Sequence, residues 1–125
     1  MRYTLLLHWA EAPAGSLSPE TLAEGQRAFA SYARTLDQAG ILLSAEVLEA
    51  STGSTTISSA GGRLRVHDGP FADTKEQLGG TFVIDVPDRA TAIEWAKRAP
   101  PATWGAVEIR AGAVHYAGGA WTSSS

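Results

Sequence analysis

Three side chains have a type and a position suited to acid–base chemistry: His8, Asp68 and Glu76. The imidazole of His8 can exchange a proton near neutral pH, and it lies in an apolar segment typical of an inner strand. Asp68 precedes a Gly-Pro turn, where partial burial would let its carboxylate accept a proton. Glu76 lies in a polar turn and could be a second acid or base. We predict these three as catalytic residues. The plainer alternatives are a hydrogen-bonded core or interface histidine, a turn-forming carboxylate and a solvated glutamate.

Four further side chains are predicted to contact a small-molecule ligand: Trp9, Glu46, Phe71 and Lys75. Trp9 follows His8 directly, and Phe71 would form either one wall of a cleft or part of the core. Lys75 could hold an acidic group of a substrate. Glu46 lies on a predicted strand, so that an inward orientation would require a cationic partner.

Two strand glutamates, Glu46 and Glu108, can alternatively be explained by structural ion pairs. Arg2 and Arg110 lie on the predicted terminal strands and are the available partners. An isolated buried charge is costly, so a paired carboxylate is the plainer interpretation at both positions.

The composition argues against several kinds of chemistry. The chain has no cysteine, which excludes disulfides, thiolate catalysis and zinc–sulfur sites. Its three histidines are far apart and lack metal-binding spacing, and neither a phosphate-binding loop nor a Gly-x-Ser-x-Gly elbow occurs. A net charge of −3 with scattered basic residues argues against nucleic-acid binding. We therefore expect no metal, no cofactor and no nucleic-acid partner.

The chain shows no sign of a membrane segment. Its first apolar run is too short for a signal peptide and is interrupted by His8. Nothing approaches the ~20 apolar residues of a membrane span. We expect a cytoplasmic protein with no membrane partner.

The elements that would position these residues alternate between strand and helix. Two β-α-β units are separated by a hairpin, which is the order of the ferredoxin-like split βαβ fold of the α+β class, with a β-hairpin insertion. The Gly- and Ser-rich end of the chain is expected to fray. The predicted elements are strands at 2–9, 41–48, 81–86 and 106–110, helices at 18–39 and after Asp88, a hairpin at 55–67 and a short helical turn from 73.

The predicted sheet has apolar residues on both faces, although two helices can cover only one. Leu6, together with either Val83 or the pair Phe82 and Ile84, must lie on the uncovered face. A second copy of the chain could cover it and form a two-fold homodimer. In the hairpin, Leu64 and Val66 are predicted to face inward, and Arg63, Arg65 and His67 to face water. As an alternative to a second copy, the hairpin itself could fold over the uncovered face. The apolar residues available for that are Ile57, Leu64 and Val66.

Residues 68–80 read DGPFADTKEQLGG, and this stretch resembles the signature of the DGPF-domain family within the YCII-related superfamily. Supporting matches are the first strand at 3–7, the pair Ala45-Glu46 and the closing segment 107–110. The similarity covers residues 1–111, which we predict to be a YCII-related/DGPF domain. Residues 112–125 form a C-terminal tail beyond it.

The resemblance implies a dimeric α+β barrel with a cleft near the motif. Some members of the superfamily act on small ring compounds as isomerases or dehydrochlorinases, and others lie beside extracytoplasmic-function sigma factors. Together with the acid–base groups His8, Asp68 and Glu76, the resemblance favours a cofactor-free isomerase or lyase that acts by proton transfer. The alternatives are a binding or regulatory module associated with a sigma factor and a structural dimer without catalysis.

One departure from the family pattern concerns the first helix. Enzyme-like relatives are thought to use a His–Asp pair whose histidine lies in that helix, but residues 18–39 contain no histidine. Phe29 falls near the expected position, and Asp37 lacks the partner. We therefore do not transfer the pair to this chain. His8 stands where family members often have tyrosine.

Overall fold

The computed structural model describes all residues from 1 to 125, and its elements follow the predicted order with two additional strands at the end. No helix combines the length and the apolar character needed to cross a bilayer. Short 3-10 turns occur at Ser51–Gly53 and Pro100–Thr103. The helices are α1 (Pro19–Gln38) and α2 (Arg89–Ala96), and the strands are β1 (Arg2–Trp9), β2 (Leu42–Val47), β3 (Thr55–Ala60), β4 (Arg63–Asp68), β5 (Gln77–Asp85), β6 (Ala106–Ala111), β7 (Val114–Ala117) and β8 (Ala120–Ser123).

Both helices begin at the caps that the sequence predicts. The Ser18 hydroxyl accepts a hydrogen bond from the backbone N–H of Thr21 at 3.1 Å. The Asp88 carboxylate accepts one from the N–H of Thr91 at 2.8 Å. These bonds satisfy donors that have no partner within the first turn of a helix. After α1, Gly40 adopts a φ of 74°, the left-handed conformation expected for a C-terminal glycine.

The main sheet has four strands in the order β2-β5-β1-β6, and every neighbouring pair is antiparallel. This order places the first and third strands of the split βαβ arrangement at the centre. The sheet and its two helices therefore confirm the ferredoxin-like α+β fold. The hairpin of β3 and β4 confirms the predicted insertion between the two β-α-β units.

The core lies between the helices and one face of this sheet. Tyr3, Leu5 and Leu7 alternate along β1 and are buried on that face. The ring of Tyr32 in α1 packs edge-on against Phe82 of β5, with 5.1 Å between their centroids. Removing these apolar side chains from water is the main force that holds the helices on the sheet. The remaining members of the buried cluster are Leu36, Ile84, Val86, Ala92, Ala96 and Ala99.

The second face of the sheet has no layer of the same chain packed over it. Leu6 of β1 and Val83 of β5 lie on this face and are half-buried. The structure thus assigns Val83, and not Phe82 and Ile84, to the uncovered side. The hairpin does not fold over this face, because its apolar side chains remain in water. Their exposed fractions are 67% for Ile57, 80% for Leu64 and 68% for Val66.

That exposure corrects the expectation that Leu64 and Val66 face inward. The two-stranded hairpin of β3 and β4 forms its own small sheet, which pairs with no strand of the main sheet. A lone hairpin has no second layer to bury its apolar face. Within one chain it is therefore an exposed arm.

The tail was expected to fray, and the structure corrects this as well. Residues 114–123 form a second hairpin, whose Gly118 and Gly119 have φ values of 60° and 82°. Two consecutive positive φ angles are required by the tight type I′ turn of a β-hairpin. The base is fixed to the sheet, since the Arg2 N–H donates to the Ser124 carbonyl at 2.9 Å and the Gly112 N–H donates to the Arg2 carbonyl at 2.8 Å. Within the tail, the side chain of His115 lies 3.0 Å from the Ser124 hydroxyl.

The predicted helical turn after residue 73 is absent. The chain instead forms an irregular loop until Gln77 begins β5. The side-chain amide of Gln77 donates to the backbone carbonyls of Ala72 and Thr74, at 2.9 and 3.3 Å. The Thr74 hydroxyl donates to the Glu76 carbonyl at 2.6 Å. Side chains that bind neighbouring carbonyls in this way compete with helix formation. The segment resembles a capping box in sequence, but its side chains stabilise a loop.

Candidate functional site

A cleft of about 770 Å³ lies where β1 ends, beside the loop before β3 and the segment that follows β4. His8 lies at the β1 side, and Phe71 and Glu76 lie on the opposite segment. Leu48 and Leu78 add apolar surface to the lining. The cleft therefore combines one imidazole, one aromatic ring and at least one carboxylate.

A chain of polar contacts fixes the imidazole of His8. Its Nε2 atom lies 3.2 Å from Oε1 of Glu108, and the other carboxylate oxygen of Glu108 accepts a hydrogen bond from Nε of Arg110 at 2.8 Å. Glu108 is opposite Leu6 in the β1–β6 register, so it is a diagonal neighbour of His8 on the uncovered face. Adjacent strands thus place the three side chains in a row.

The electrostatics of this row determine which nitrogen of His8 carries the proton. The hydrogen bond from Arg110, and then the one from His8, hold the pKa of the Glu108 carboxyl below its ordinary value. Glu108 is therefore ionised at neutral pH and can only accept hydrogen bonds. It follows that Nε2 of His8 is the donor, which leaves Nδ1 of the neutral imidazole as a proton acceptor.

The DGPF-like segment is held in place by its glycine. Gly69 has a φ of 110°, its N–H donates to the Ser54 carbonyl at 2.7 Å, and its own carbonyl accepts from the Thr56 hydroxyl at 2.7 Å. These bonds attach the segment to the start of β3, so that Phe71 is presented at the cleft. Asp68 ends β4 opposite Thr55 and is solvent-exposed. The turn is therefore fixed by backbone bonds of Gly69.

Sequence reasoning missed Glu11, which holds the opposite wall of the cleft. Its carboxylate accepts hydrogen bonds from both the backbone N–H of Ser51, at 2.7 Å, and the Ser51 hydroxyl. Ser51 begins the short turn that lines the cleft. Glu11 lies in a loop rich in Ala, Pro and Gly, where no periodic pattern distinguishes it from a solvated residue.

The structure brings some of the predicted residues together and separates others. His8, Glu76 and Phe71 line one cleft. Asp68 and Lys75 are exposed and do not belong to its lining. The cleft therefore unites two of the three predicted acid–base residues.

Trp9 lies on the other face of the sheet from His8, in a separate apolar groove of about 930 Å³. Its ring centroid is 5.8 Å from that of Phe29 and 5.5 Å from that of Trp104. Gly79 makes room for this ring, since a Cβ atom at that position would collide with it. Phe29, near the position of the expected helix histidine, is thus part of an aromatic cluster.

The ion pair proposed for strand glutamates forms at only one of the two positions. Arg110 forms an ion pair with Glu108, which confirms the structural ion pair predicted for that glutamate. Glu46 lies on β2 opposite Thr81, is exposed, and lies outside the lining of the cleft. Its carboxylate forms no ion pair within the chain.

The charges at the cleft indicate which ligands suit it. Glu49 and Glu76 contribute carboxylates to the lining, which contains no lysine or arginine. Because like charges repel, the cleft favours a neutral or amine-bearing ligand over an acid. No group of three His, Asp or Glu side chains is arranged to hold a metal ion.

Comparison with known proteins places the chain in a family. The sequence model of the YCII-related domain matches residues 1–111. An uncharacterized protein of Rhizobium meliloti (strain 1021) is 32% identical over 121 residues, which covers 94% of this chain and 97% of that protein. The matched region includes the whole main sheet, both helices and the hairpin insertion. The chain therefore belongs to the family of YCII-related domain proteins.

Proposed function

We propose that this chain forms a homodimer with a small-molecule site at the cleft, where His8 moves a proton on the bound ligand without a cofactor. The observation that supports this most strongly is the contact between His8 and Glu108. A carboxylate behind an imidazole fixes its orientation and stabilises the charge that develops when the free nitrogen accepts a proton. In this chain, the arrangement lies at a cleft with a second carboxylate, Glu76.

The homodimer is supported by the amount of surface that one chain exposes. A folded monomer of this mass exposes about 6,400 Å². The isolated chain exposes 8364 Å², an excess of roughly 2,000 Å² over that expectation. Each chain of an obligate homodimer contributes about 1,000–2,500 Å² to the interface. The excess is thus of the size that one partner would cover.

The second copy would stabilise the fold and would also strengthen the contact between His8 and Glu108. His8, Glu108 and Arg110 all lie on the uncovered face, together with Leu6 and Val83. A partner sheet over this face would remove water from the row of polar contacts. Electrostatic interactions become stronger as water is excluded, so the pair of His8 and Glu108 would be held more firmly in the dimer.

The proposed reaction class is the transfer of a proton within a neutral or amine-bearing ring compound, as an isomerase or lyase requires. Nδ1 of His8 would remove a proton from carbon, and the imidazolium so formed would return it to another atom of the ligand or to a leaving group. The nearby Glu76 carboxylate would stabilise the positive charge on the ring while it holds the proton. The exposed ring of Phe71 would stack on the ligand. These roles use only groups that line the cleft.

Proton transfer can be tested before the substrate is known. A panel of cyclic ketones and amine-bearing ring compounds is screened by thermal shift, because a ligand that binds the folded state raises the melting temperature. Ligands that bind are then incubated with the protein in heavy water, and deuterium incorporation is followed by NMR. His8→Gln should slow the exchange by about 10²- to 10⁴-fold, the usual contribution of a general base.

His67→Gln is the matched control, since His67 lies on the exposed hairpin arm and outside the cleft. It should exchange deuterium at the wild-type rate. If wild type and His8→Gln exchange equally fast, His8 has no catalytic role. If no panel compound binds, whereas a sigma factor binds the purified dimer, the regulatory alternative replaces the enzyme proposal.

A further inference from the structure

We infer that the C-terminal hairpin of each copy reaches across the dimer and caps the cleft of the other copy, where Tyr116 and Trp121 pack beside Phe71. This inference rests on the proposed homodimer and names the segment that completes the site. The tail lies beyond residues 1–111, the part of the chain that the family model matches.

The tail hairpin is an arm with an apolar end. Tyr116 and Trp121 face each other across β7 and β8, with their rings edge to face and 5.5 Å apart. The residues are nevertheless 61% and 69% exposed in the isolated chain. Only the base is anchored, through Ser124 and Gly112 to Arg2. Large aromatic side chains on a projecting arm are typical of residues that become buried at an interface.

The arm cannot reach the cleft of its own chain. It is anchored at Arg2, where β1 begins, whereas His8 marks the cleft near the other end of the same strand. At about 3.4 Å per residue, these two points are roughly 20 Å apart. A hairpin with four residues in each strand extends only about 13 Å. The aromatic residues therefore need a surface on another molecule.

Two arrangements stack the uncovered faces of two copies with their strands aligned. A two-fold axis along the strands places both tails at one end of the dimer and both clefts at the other end. An axis across the strands reverses the strand direction in the partner and places the tail of one copy at the cleft of the other.

Charge favours the second arrangement. With both clefts at one end of the dimer, the carboxylates Glu49 and Glu76 of the two copies would gather at that end, and like charges brought close together are costly. The tail has no Asp, Glu, Lys or Arg side chain between residues 111 and 125, so it can approach the acidic cleft without repulsion. The cleft also offers an apolar partner, because Phe71 is 82% exposed. Aromatic rings gain from edge-to-face or offset contact with one another.

The consequence for the site is that a ligand would be enclosed by both copies. One copy would provide His8, Glu76 and Phe71, and the partner would provide the aromatic pair of its tail. The tail would then influence which ring compounds fit the chamber, while the proton would still be moved by His8.

Cysteine cross-linking tests this contact on a clean background, since the chain has no cysteine of its own. Phe71→Cys and Trp121→Cys chains with different tags are co-expressed, purified as mixed dimers and treated with a short bismaleimide. Two thiols held together in a dimer have a far higher effective concentration than free chains, so at least ~10-fold more cross-linked heterodimer is expected than with a distant control position. The control pairs Trp121→Cys with Ser31→Cys in place of Phe71→Cys, because Ser31 is exposed on α1 in the helix layer, away from the uncovered face.

The same samples separate failure of the inference from failure of the proposed function. Light scattering that shows dimers, combined with cross-linking of Trp121→Cys chains to each other, would establish the tail-to-tail arrangement and overturn the inference alone. Dimers without any cross-link from Trp121→Cys or from a second probe, Tyr116→Cys, would also overturn it. Monomers in the unmodified protein would overturn both the inference and the proposed homodimer.

Discussion

Nε2 of His8 lies 3.2 Å from Oε1 of Glu108, although the two residues are 100 positions apart in the chain. The contact exists because β1 and β6 are neighbours in the sheet and both side chains lie on its uncovered face. Arg110 completes the row from the far side of the carboxylate. Because the Glu108 carboxylate only accepts hydrogen bonds, the neutral form of His8 carries its proton on Nε2.

Removal of Arg110 should raise the pKa of Glu108. The hydrogen bond from Arg110 is the main cause of the lowered pKa, and the one from His8 is the second. Arg110→Gln should therefore move the Glu108 pKa further towards its ordinary value than His8→Gln does. Carboxyl titration by NMR measures both shifts. Arg65→Gln, on the exposed hairpin arm, should leave the titration of Glu108 unchanged. If the Glu108 pKa moved further in His8→Gln than in Arg110→Gln, Arg110 would not be the main cause of the lowered pKa.

The lowered pKa of Glu108 also predicts how stability depends on pH. A carboxyl with a depressed pKa in the folded state stabilises that state fully above the unfolded value of about 4.3, and this contribution is lost as the pH falls through the folded value. Glu108→Gln should therefore be less stable than wild type at pH 7. Urea midpoints measured from pH 7 to pH 2 should converge for the two proteins. A difference that persists at the lowest pH would show that Glu108 acts by something other than its charge.

Tyr32 should make the fold sensitive to alkali. Burial raises the pKa of its hydroxyl from 10.0 to about 12, an effect that Arg98 partly offsets. A raised pKa contributes stability that is complete below pH 10 and is lost as the pH rises through 12. Wild type should therefore lose stability between pH 10 and pH 12 as the Tyr32 hydroxyl ionises, and Tyr32→Phe should lack this loss. The variant should also be about 1 kcal/mol less stable at pH 7, because the Trp95 carbonyl loses its hydrogen-bond donor. Denaturation midpoints against pH measure both effects.

Two glycine substitutions should change stability in opposite directions. At Gly105, a Cβ atom would collide with the backbone carbonyl of His8, which cannot move aside without disturbing β1. Gly105→Ala should therefore destabilise the fold by about 3 kcal/mol. Gly25 lies within α1 with no atom within 4 Å of an added Cβ. Gly25→Ala should stabilise by about 1 kcal/mol, because alanine favours a helix. Equal effects of the two changes in a urea titration would contradict this comparison.

Glu11 should control the mobility of the cleft wall. Its carboxylate binds the backbone N–H and the hydroxyl of Ser51, so that Glu11→Ala frees the start of the short turn beside the cleft. Amide hydrogen exchange at residues 50–54 should become faster, whereas exchange in the core strands should stay slow. Glu49→Ala removes a nearby carboxylate that makes no such bond and serves as the control. Unchanged exchange in Glu11→Ala would mean that other contacts hold the wall.

The general fold could be predicted because its determinants are local. Ser18, Asp88 and Gly40 mark helix ends through their own backbone preferences, and the alternation of β1 identifies the buried face. The pair Gly61-Gly62 likewise favours the tight turn of the hairpin arm, where both residues have positive φ angles of 59° and 79°. The same Gly-Gly signal at residues 118–119, with Tyr116 and Trp121 on either side, could have identified the tail hairpin.

The candidate site could be predicted only in part, because it depends on contacts between distant segments. The pairing of His8 with Glu108 requires the register of β1 against β6, which no local pattern specifies. The loop after residue 73 has the sequence of a capping box, but the pairing of Gln77 with Trp9 in the sheet overrides that preference. Trp9 and His8 were predicted for the same site, yet successive residues of a strand point to opposite faces.

The proposed site requires that a second copy of the chain closes the uncovered face of the sheet. Light scattering coupled to size-exclusion chromatography at micromolar concentration is the measurement that decides whether this second copy is present. We expect a particle with twice the 13.1 kDa mass of one chain, and Leu6→Lys together with Val83→Lys should convert it to monomers that retain wild-type helix content. A wild-type particle of 13.1 kDa would contradict the claim.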